Sequence, residues 1–303
     1  MTNTNTLKQM VQLACNHENL AGMEATVEKE LLHYDVMAAL SQSGLLSELV
    51  FQGGTCLRMA YGSERLSEDL DFTGGRDFTP KLYNNLAEVL IDYFKPRYGL
   101  DIVVKQPKNR AFNPDSVKVG RWMIVIETRP DKKGTPKQKI KLEVANIPSY
   151  SKNLKAIRLN YPNLQSGLDT VLVNCESESE ILADKVVALL LRKFIKARDL
   201  WDLVMLNQQG HELNFEWIAN KLNDYQSQNQ PLALIKQIQS KLPDYWASGD
   251  FEAEMKRFLP ITKVEQTLEQ PQFMDYFVGE IDSLLLKTAK QWQTPITKQQ
   301  FKL

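Results

Sequence analysis

Residues 51–72 read Phe51-Gln-Gly-Gly-Thr-Cys-Leu-Arg-Met-Ala-Tyr-Gly-Ser-Glu-Arg-Leu-Ser-Glu-Asp-Leu-Asp-Phe72, and two features of this stretch decide the fold. The apolar run Glu48 to Phe51 ends at Gly53-Gly54, and Thr55 to Ala60 has helical character. Glycines between a strand and a helix let backbone N–H groups approach a phosphate, and a helix N-terminus favours its negative charge. Further on, Asp69 and Asp71 stand two apart on a segment, Leu70 to Thr73, that reads as a strand stopped by Gly74-Gly75. That spacing puts both carboxylates on one face. Such a pair is costly unless a cation sits between them, and hard oxygen ligands suit Mg²⁺, which keeps waters and substrate phosphates in its other positions. A lone D-x-D also fits a solvated strand edge. The Gly53-Gly54-Thr55 turn upstream argues for the metal.

Outward from this stretch, residues 1–45 read as helices, with Leu7, Met10, Val11 and Ala14 at helical spacing. Lys81 to Phe94 reads as another. Strands are expected at Asp101 to Lys105, Arg121 to Thr128 and Lys139 to Ile147. The last alternates Ile140, Leu142, Val144 with Lys139, Lys141, Glu143, the period of a half-buried strand. Glu143 therefore lies on a polar face, either as a third carboxylate for a metal site or as an exposed partner of Lys141. A short strand is expected at Val171 to Val173. Ser177 and Glu180 fit a capping box, in which each side chain satisfies a backbone donor of the other. The rest reads as helical: Ile181 to Lys196, a second helix through Leu200 and Leu206, and others near 214–225, 231–241, 251–258 and 272–288. The change of texture near residue 174 divides a mixed α/β domain, 1–174, from a helical domain, 175–303.

The Gly-Gly turn followed by D-x-D on the next strand resembles the nucleotidyltransferase fold of DNA polymerase beta. The fuller pattern, G-G-T-x-L-R followed by R-L-S-E-D-L-D-F, resembles the AbiEii/AbiGii abortive-infection toxins of AbiE-type toxin–antitoxin systems. Lys141-Leu-Glu143, Glu180-Ile-Leu-Ala-Asp-Lys185 and Arg198-Asp-Leu-Trp-Asp-Leu203 extend the resemblance in the family's order over residues 51 to 203. It implies an α+β fold: a polymerase-beta-like nucleotidyltransferase domain with a mixed sheet, then a helical C-terminal domain that completes the nucleotide site. It also implies an NTP substrate with Mg²⁺ held by Asp69, Asp71 and Glu143. Gly53, Gly54, Thr55 and Lys185 would hold phosphates, and Arg65 and Ser67 would touch phosphate or base.

Lys185 lies on a helix rich in aliphatic residues, so residue type alone also allows a lysine that snorkels to the edge. By resemblance it contacts the triphosphate, a role that suits a compact ammonium. Asp199 and Asp202 share a helix face. They read either as surface charges, with Arg198 paired to Asp202, or as the carboxylates that hold Lys185 or Arg65 beside the nucleotide. The resemblance favours the second reading, with Asp202 ahead of Asp199.

The 303 residues carry 37 basic and 37 acidic side chains, which excludes a globally basic nucleic-acid binder. The charge is uneven, however: Lys105 to Arg158 holds fourteen Lys/Arg and four Asp/Glu, a local balance of +10. A basic stretch beside an acidic cluster suits a polyanionic acceptor, with Phe112, Trp122 and Tyr150 available to stack on bases. Solvated strand edges rich in lysine are the plainer alternative. Three scattered cysteines form no disulfide framework or CxxC pair, and fit a reducing cytoplasm. Neither a signal peptide nor a membrane span is expected. No GxSxG, Walker A, GxGxxG or zinc-binding His/Cys set occurs.

These readings converge on a metal-dependent nucleotidyltransferase. By resemblance it is a phage-defence toxin that transfers nucleotides to RNA, at the tRNA 3′ end, and is restrained by a cognate antitoxin without need of a stable complex. The absence of a long apolar stripe without an intramolecular partner suggests a monomer. Protein nucleotidylation is the alternative activity. A non-catalytic RNA- or partner-binding protein on the same fold is the alternative class, although every expected motif position is filled.

Overall fold

The computed structural model describes residues 4–17, 20–108, 116–130, 134–161, 164, 167–227 and 229–293. Phe112 lies outside them. Two compact units emerge: residues 1–181 with 256–265, and residues 182–255 with 266–303.

The first unit is built on a seven-stranded mixed sheet. Its strands are β1 (Val50–Gln52), β2 (Leu70–Thr73), β3 (Ile102–Lys105), β4 (Val119–Ile126), β5 (Gln138–Ala145), β6 (Asn153–Ala156) and β7 (Leu172–Cys175), in the order β3-β4-β5-β2-β1-β7-β6. The β2/β5 and β1/β7 pairs are parallel and the others antiparallel. Period-2 alternation sorts the faces. Leu70, Phe72, Trp122, Ile124, Ile126, Ile140, Leu142 and Val144 are buried without measurable exposure. Helices α1 (Thr4–His17), α2 (Glu24–Gln42) and α4 (Leu86–Tyr98) belong to this unit, with α2 packed against α1, α4 and β5. The opposite positions, Asp71, Arg121, Lys139, Lys141 and Glu143, are exposed or half-exposed.

Trp122 corrects one expectation. It falls on the apolar side of β4, packs on Phe78 and Tyr83, and donates Nε1–H to Gln106 at 2.9 Å, so it is core and no base can stack on it. The capping box is half realised. Ser177 Oγ accepts the Glu180 N–H at 3.2 Å, but the Ser177 N–H goes to Ser151 Oγ at 2.9 Å. The Glu180 carboxylate instead accepts from the Tyr150 and Ser151 amides, at 2.8 and 2.6 Å. A tertiary loop that presents two backbone amides to Glu180 outcompetes the local cap. The helix expected at 81–94 starts as a 3₁₀ turn at Pro80–Tyr83, whose first turn Thr79 caps, and resumes as α4 after Asn84-Asn85. Strand β6 carried no sequence signal, because it is an edge strand with Leu154 exposed.

The second unit is helical. It contains most of α5 (Glu178–Leu191), then α6 (Ala197–Gln208), α7 (Phe215–Asp224), α8 (Pro231–Ala247), α9 (Asp250–Met255) and α11 (Phe273–Gln293); the short α10 (Ile261–Gln266) belongs mainly to the first. Its core is aromatic: Phe277 lies 4.7 Å from Phe251, 5.5 Å from Phe273 and 6.1 Å from Trp201, centroid to centroid. Lys221 of α7 is fully buried and paired with Asp184 of α5 at 2.7 Å. Helix α5 stops at Leu191, short of the expected Lys196, and 192–196 form a non-helical connection to α6. Among the described residues no helix is long and apolar enough to cross a membrane.

Candidate active site

The site grows out of the turn between β1 and the helical segment behind it. Gly53 has φ +74°, a left-handed conformation that a side chain strains. A Cβ there would meet Asp71 Oδ2 at 3.2 Å, so the turn lies directly against the β2 carboxylate. Four helical residues, Gly53–Cys56 (α3), run on into a π turn at Leu57–Tyr61.

Asp71 is paired in register with Gln52 of β1 on one side and with Glu143 of β5 on the other. Side chains opposite each other on neighbouring strands lie on the same face. Sequence spacing does not reveal this adjacency, since it arises from the parallel pairing of β2 with β5. Asp69 precedes β2. Its Oδ2 takes Lys141 Nζ at 3.1 Å, while Glu143 Oε1 takes Arg121 Nε from β4. The guanidinium of Arg121 is held charged above its ordinary range, first by its hydrogen bond to Glu143 and the charge behind it, then by the fields of Asp69 and Asp71. One cation thus feels all three carboxylates.

Beneath the turn, the Thr55 hydroxyl donates to the Asp69 carbonyl and shares a 2.8 Å bond with the Ser67 hydroxyl. Arg65 is 2% exposed, and a Cβ on Gly54 would fall 2.2 Å from its Nη2. Its Nη1 donates to the Leu66 carbonyl at 2.9 Å. Arg65 and Ser67 therefore back the turn from inside the protein. Sequence reasoning missed Glu30 on α2. It accepts from Arg58 Nε at 2.8 Å and from the Tyr161 hydroxyl at 2.8 Å, and Arg58 also holds the Ser63 carbonyl at 2.9 Å. That network fixes the loop leading into Arg65. The Arg58 in G-G-T-C-L-R was the only signal, and its partner lies 28 residues upstream.

In the second unit, Lys185 of α5 is buried and donates to Asp199 Oδ1 and Asp202 Oδ2 of α6, each at 2.8 Å. Residues 199 and 202 share a helix face, so both carboxylates reach one ammonium. Arg192 takes the other oxygen of Asp199. Burial pushes the Asp199 carboxyl up, but Lys185 and Arg192 outweigh it and hold it below its ordinary range. Arg198 pairs with Glu254 at 3.3 Å. The turn and the carboxylates belong to one unit, and the Lys185 clamp to the other.

Asp69, Asp71 and Glu143 offer only oxygen donors, Asp71 from β2, Glu143 from the adjacent β5 and Asp69 from the residue just before β2. Lys141 and Arg121 offset two of the three negative charges there and leave one over. That donor chemistry fits a hard divalent cation.

A mixed sheet presenting such carboxylates beside a glycine turn is the frame of a nucleotidyltransferase, and the protein is one. The chain belongs to the AbiEii family: the model for "Nucleotidyl transferase AbiEii toxin, Type IV TA system" matches residues 35–278. It is thus a nucleotidyltransferase toxin of a type IV toxin–antitoxin system. No curated protein matches the sequence. Among solved structures it is similar to MenT4, a nucleotidyltransferase toxin of Mycobacterium tuberculosis, with 17% identity, 77% of this chain and 71% of that one covered, and a TM-score of 0.44. It is also similar to JHP933 of Helicobacter pylori, with 21% identity, 88% and 94% covered, and a TM-score of 0.48. A further H. pylori protein, classed as a nucleotidyltransferase, has 21% identity, 88% and 97% covered, and a TM-score of 0.50. This last likeness speaks for a shared fold.

Proposed function

We propose that the enzyme transfers a nucleotidyl group from an NTP to the 3′ hydroxyl of an RNA, with tRNA as the preferred acceptor. The acceptor oxygen attacks the α-phosphorus, the bond to the bridging oxygen of the β-phosphate breaks, and pyrophosphate leaves. The hydroxyl proton passes to a carboxylate of the cluster. Asp69, Asp71 and Glu143 would hold Mg²⁺, which when bound would supply charge neutralisation for the phosphoryl transfer. The backbone of Gly53, Gly54 and Thr55 cradles phosphate, with Arg65 and Ser67 keeping the turn in shape. In the helical unit, Lys185, held by Asp202 and Asp199, carries the phosphate-binding role that the family resemblance implies. Positioning and charge account for most of the rate in such a transfer.

The observation that carries this reading is the Asp71–Glu143 register, with Gly53 lying against Asp71. The RNA acceptor is supported by the same sheet face. Lys105, Arg121 and Lys139 are exposed there beside Lys141, a cationic field next to the carboxylates. In the cell we place the enzyme in the cytoplasm as a monomer acting in phage defence, with an antitoxin that need not bind it stably. Expression without antitoxin should then arrest growth. The test is incubation of the protein and Mg²⁺ with each labelled NTP in the presence of total RNA and total protein. The reading requires label in RNA of tRNA size; label found only in protein would make the enzyme a protein nucleotidylase.

A further inference from the structure

The connection between α5 and α6 carries a feature that the nucleotide chemistry leaves unused. It reads Arg192-Lys-Phe-Ile-Lys196, three cations around one aromatic ring in five residues. Phe194 is 67% exposed, the most exposed large hydrophobic side chain of the described residues. Lys193 Nζ lies 5.1 Å from its ring centroid. Arg192, Lys193 and Lys196 are all exposed. The helix stops before this segment although its sequence is not helix-breaking. The connection is also tied down, because Arg192 bonds the buried Asp199, which bonds Lys185.

A single exposed apolar side chain is ordinary on a surface; what sets Phe194 apart is the cations beside it, with Lys193 Nζ against its ring and Arg192 and Lys196 exposed in the same five residues. Flat aromatic surface flanked by cations is the arrangement that binds single-stranded nucleic acid, with bases on the ring and phosphates on the charges. We propose that the 192–196 connection is an acceptor platform: an unpaired base near the 3′ end of the RNA stacks on Phe194 while Lys193 and Lys196 take its phosphates. This rests on the RNA-acceptor reading above. The chain from Arg192 through Asp199 to Lys185 then links acceptor binding to the phosphate clamp. An unpaired end is required, since bases inside a duplex are already stacked on each other.

The test is fluorescence anisotropy with a 5′-fluorescein single-stranded RNA oligonucleotide and, as comparator, a blunt RNA duplex, on the full-length protein. Phe194→Ala should weaken single-strand binding by about 5- to 160-fold, the range for loss of one base stack. Phe194→Trp should restore it, and duplex binding and NTP binding should not change. Lys193→Gln with Lys196→Gln should lower the slope of log affinity against log salt by about 1.4, at about 0.7 per phosphate released. Phe194→Ala with wild-type affinity for the single strand overturns the platform while leaving the RNA-acceptor reading in place. A wild-type protein that binds neither RNA overturns both.

Discussion

Asp71 and Glu143 stand opposite each other on the parallel strands β2 and β5, and Arg121 on β4 reaches Glu143 from the other side. The guanidinium therefore competes for the carboxylate that a metal would use. Arg121→Gln should lower the Mg²⁺ concentration needed for half-maximal transfer, and Glu143→Gln should raise it. Arg121 is 61% exposed in its side chain, so loss of the pair should change stability by less than about 1 kcal/mol. Magnesium titrations of activity, beside urea midpoints, check both.

Gly53 is constrained twice, by a φ of +74° and by Asp71 at its back. Gly53→Ala should cost about 1–2 kcal/mol for the left-handed backbone. It should also reduce transfer by more than that stability loss explains, because the new methyl pushes on the Asp71 carboxylate. Thermal unfolding and initial rates on the same preparation separate the two effects. A variant with normal rates would show that the turn tolerates the shift.

The Lys185 clamp holds one ammonium between two buried carboxylates. Removal of one partner from a buried pair costs about 3–5 kcal/mol. Asp202→Ala, whose carboxylate is 1% exposed, should approach that range, and Asp202→Asn should cost less because it keeps a hydrogen-bond acceptor. Asp199 has its pKa lowered in the fold, so its contribution is present above the unfolded carboxyl range and fades as pH falls below it. Denaturant unfolding of wild type and Asp199→Asn should therefore converge in acid.

Asp35 behaves in the opposite sense. On α2 it is buried, with Arg97 at 3.0 Å and the Tyr98 hydroxyl at 2.8 Å. Burial pushes its carboxyl from 3.8 up to about 6 against the pull of Arg97 and Tyr98. Between those values the native state keeps a proton that the unfolded chain has lost, so stability is complete at low pH and declines as pH rises through about 6. Asp35→Asn, a mimic of the protonated form, lacks this slope. Its stability relative to wild type should improve from pH about 4 to about 7. A pH-independent difference would mean that Asp35 is ionised throughout.

Much of this was readable in the sequence, for reasons that particular residues make plain. Ile140, Leu142 and Val144 announced β5 because one of its faces is core. Asp69 and Asp71 announced themselves by their spacing of two, although Asp69 stands just before β2 and reaches the same face through Lys141. Glu143 was suspected, but its place beside Asp71 depends on β2 pairing in parallel with a strand some seventy residues away, which no local pattern encodes. Trp122 misled, since an aromatic among basic residues looks like a base platform until alternation along β4 is followed strictly. Glu30 was invisible because a buried carboxylate on a helix differs from an exposed one only through partners distant in sequence. Glu180 likewise resembled a cap, and the loop at Tyr150-Ser151 claims it.

The most direct measurement is transfer of α-phosphate-labelled nucleotide to purified tRNA by the wild type and by Asp71→Asn, each first shown to be folded by its urea midpoint. Our account predicts label at the tRNA 3′ end with the wild type, together with one pyrophosphate released per nucleotide added. With Asp71→Asn it predicts a fall of about a hundredfold to a thousandfold, since a charge-stabilising group at the reacting centre is lost. Undiminished labelling by folded Asp71→Asn would contradict the site, and would move the chemistry away from the β2–β5 carboxylates.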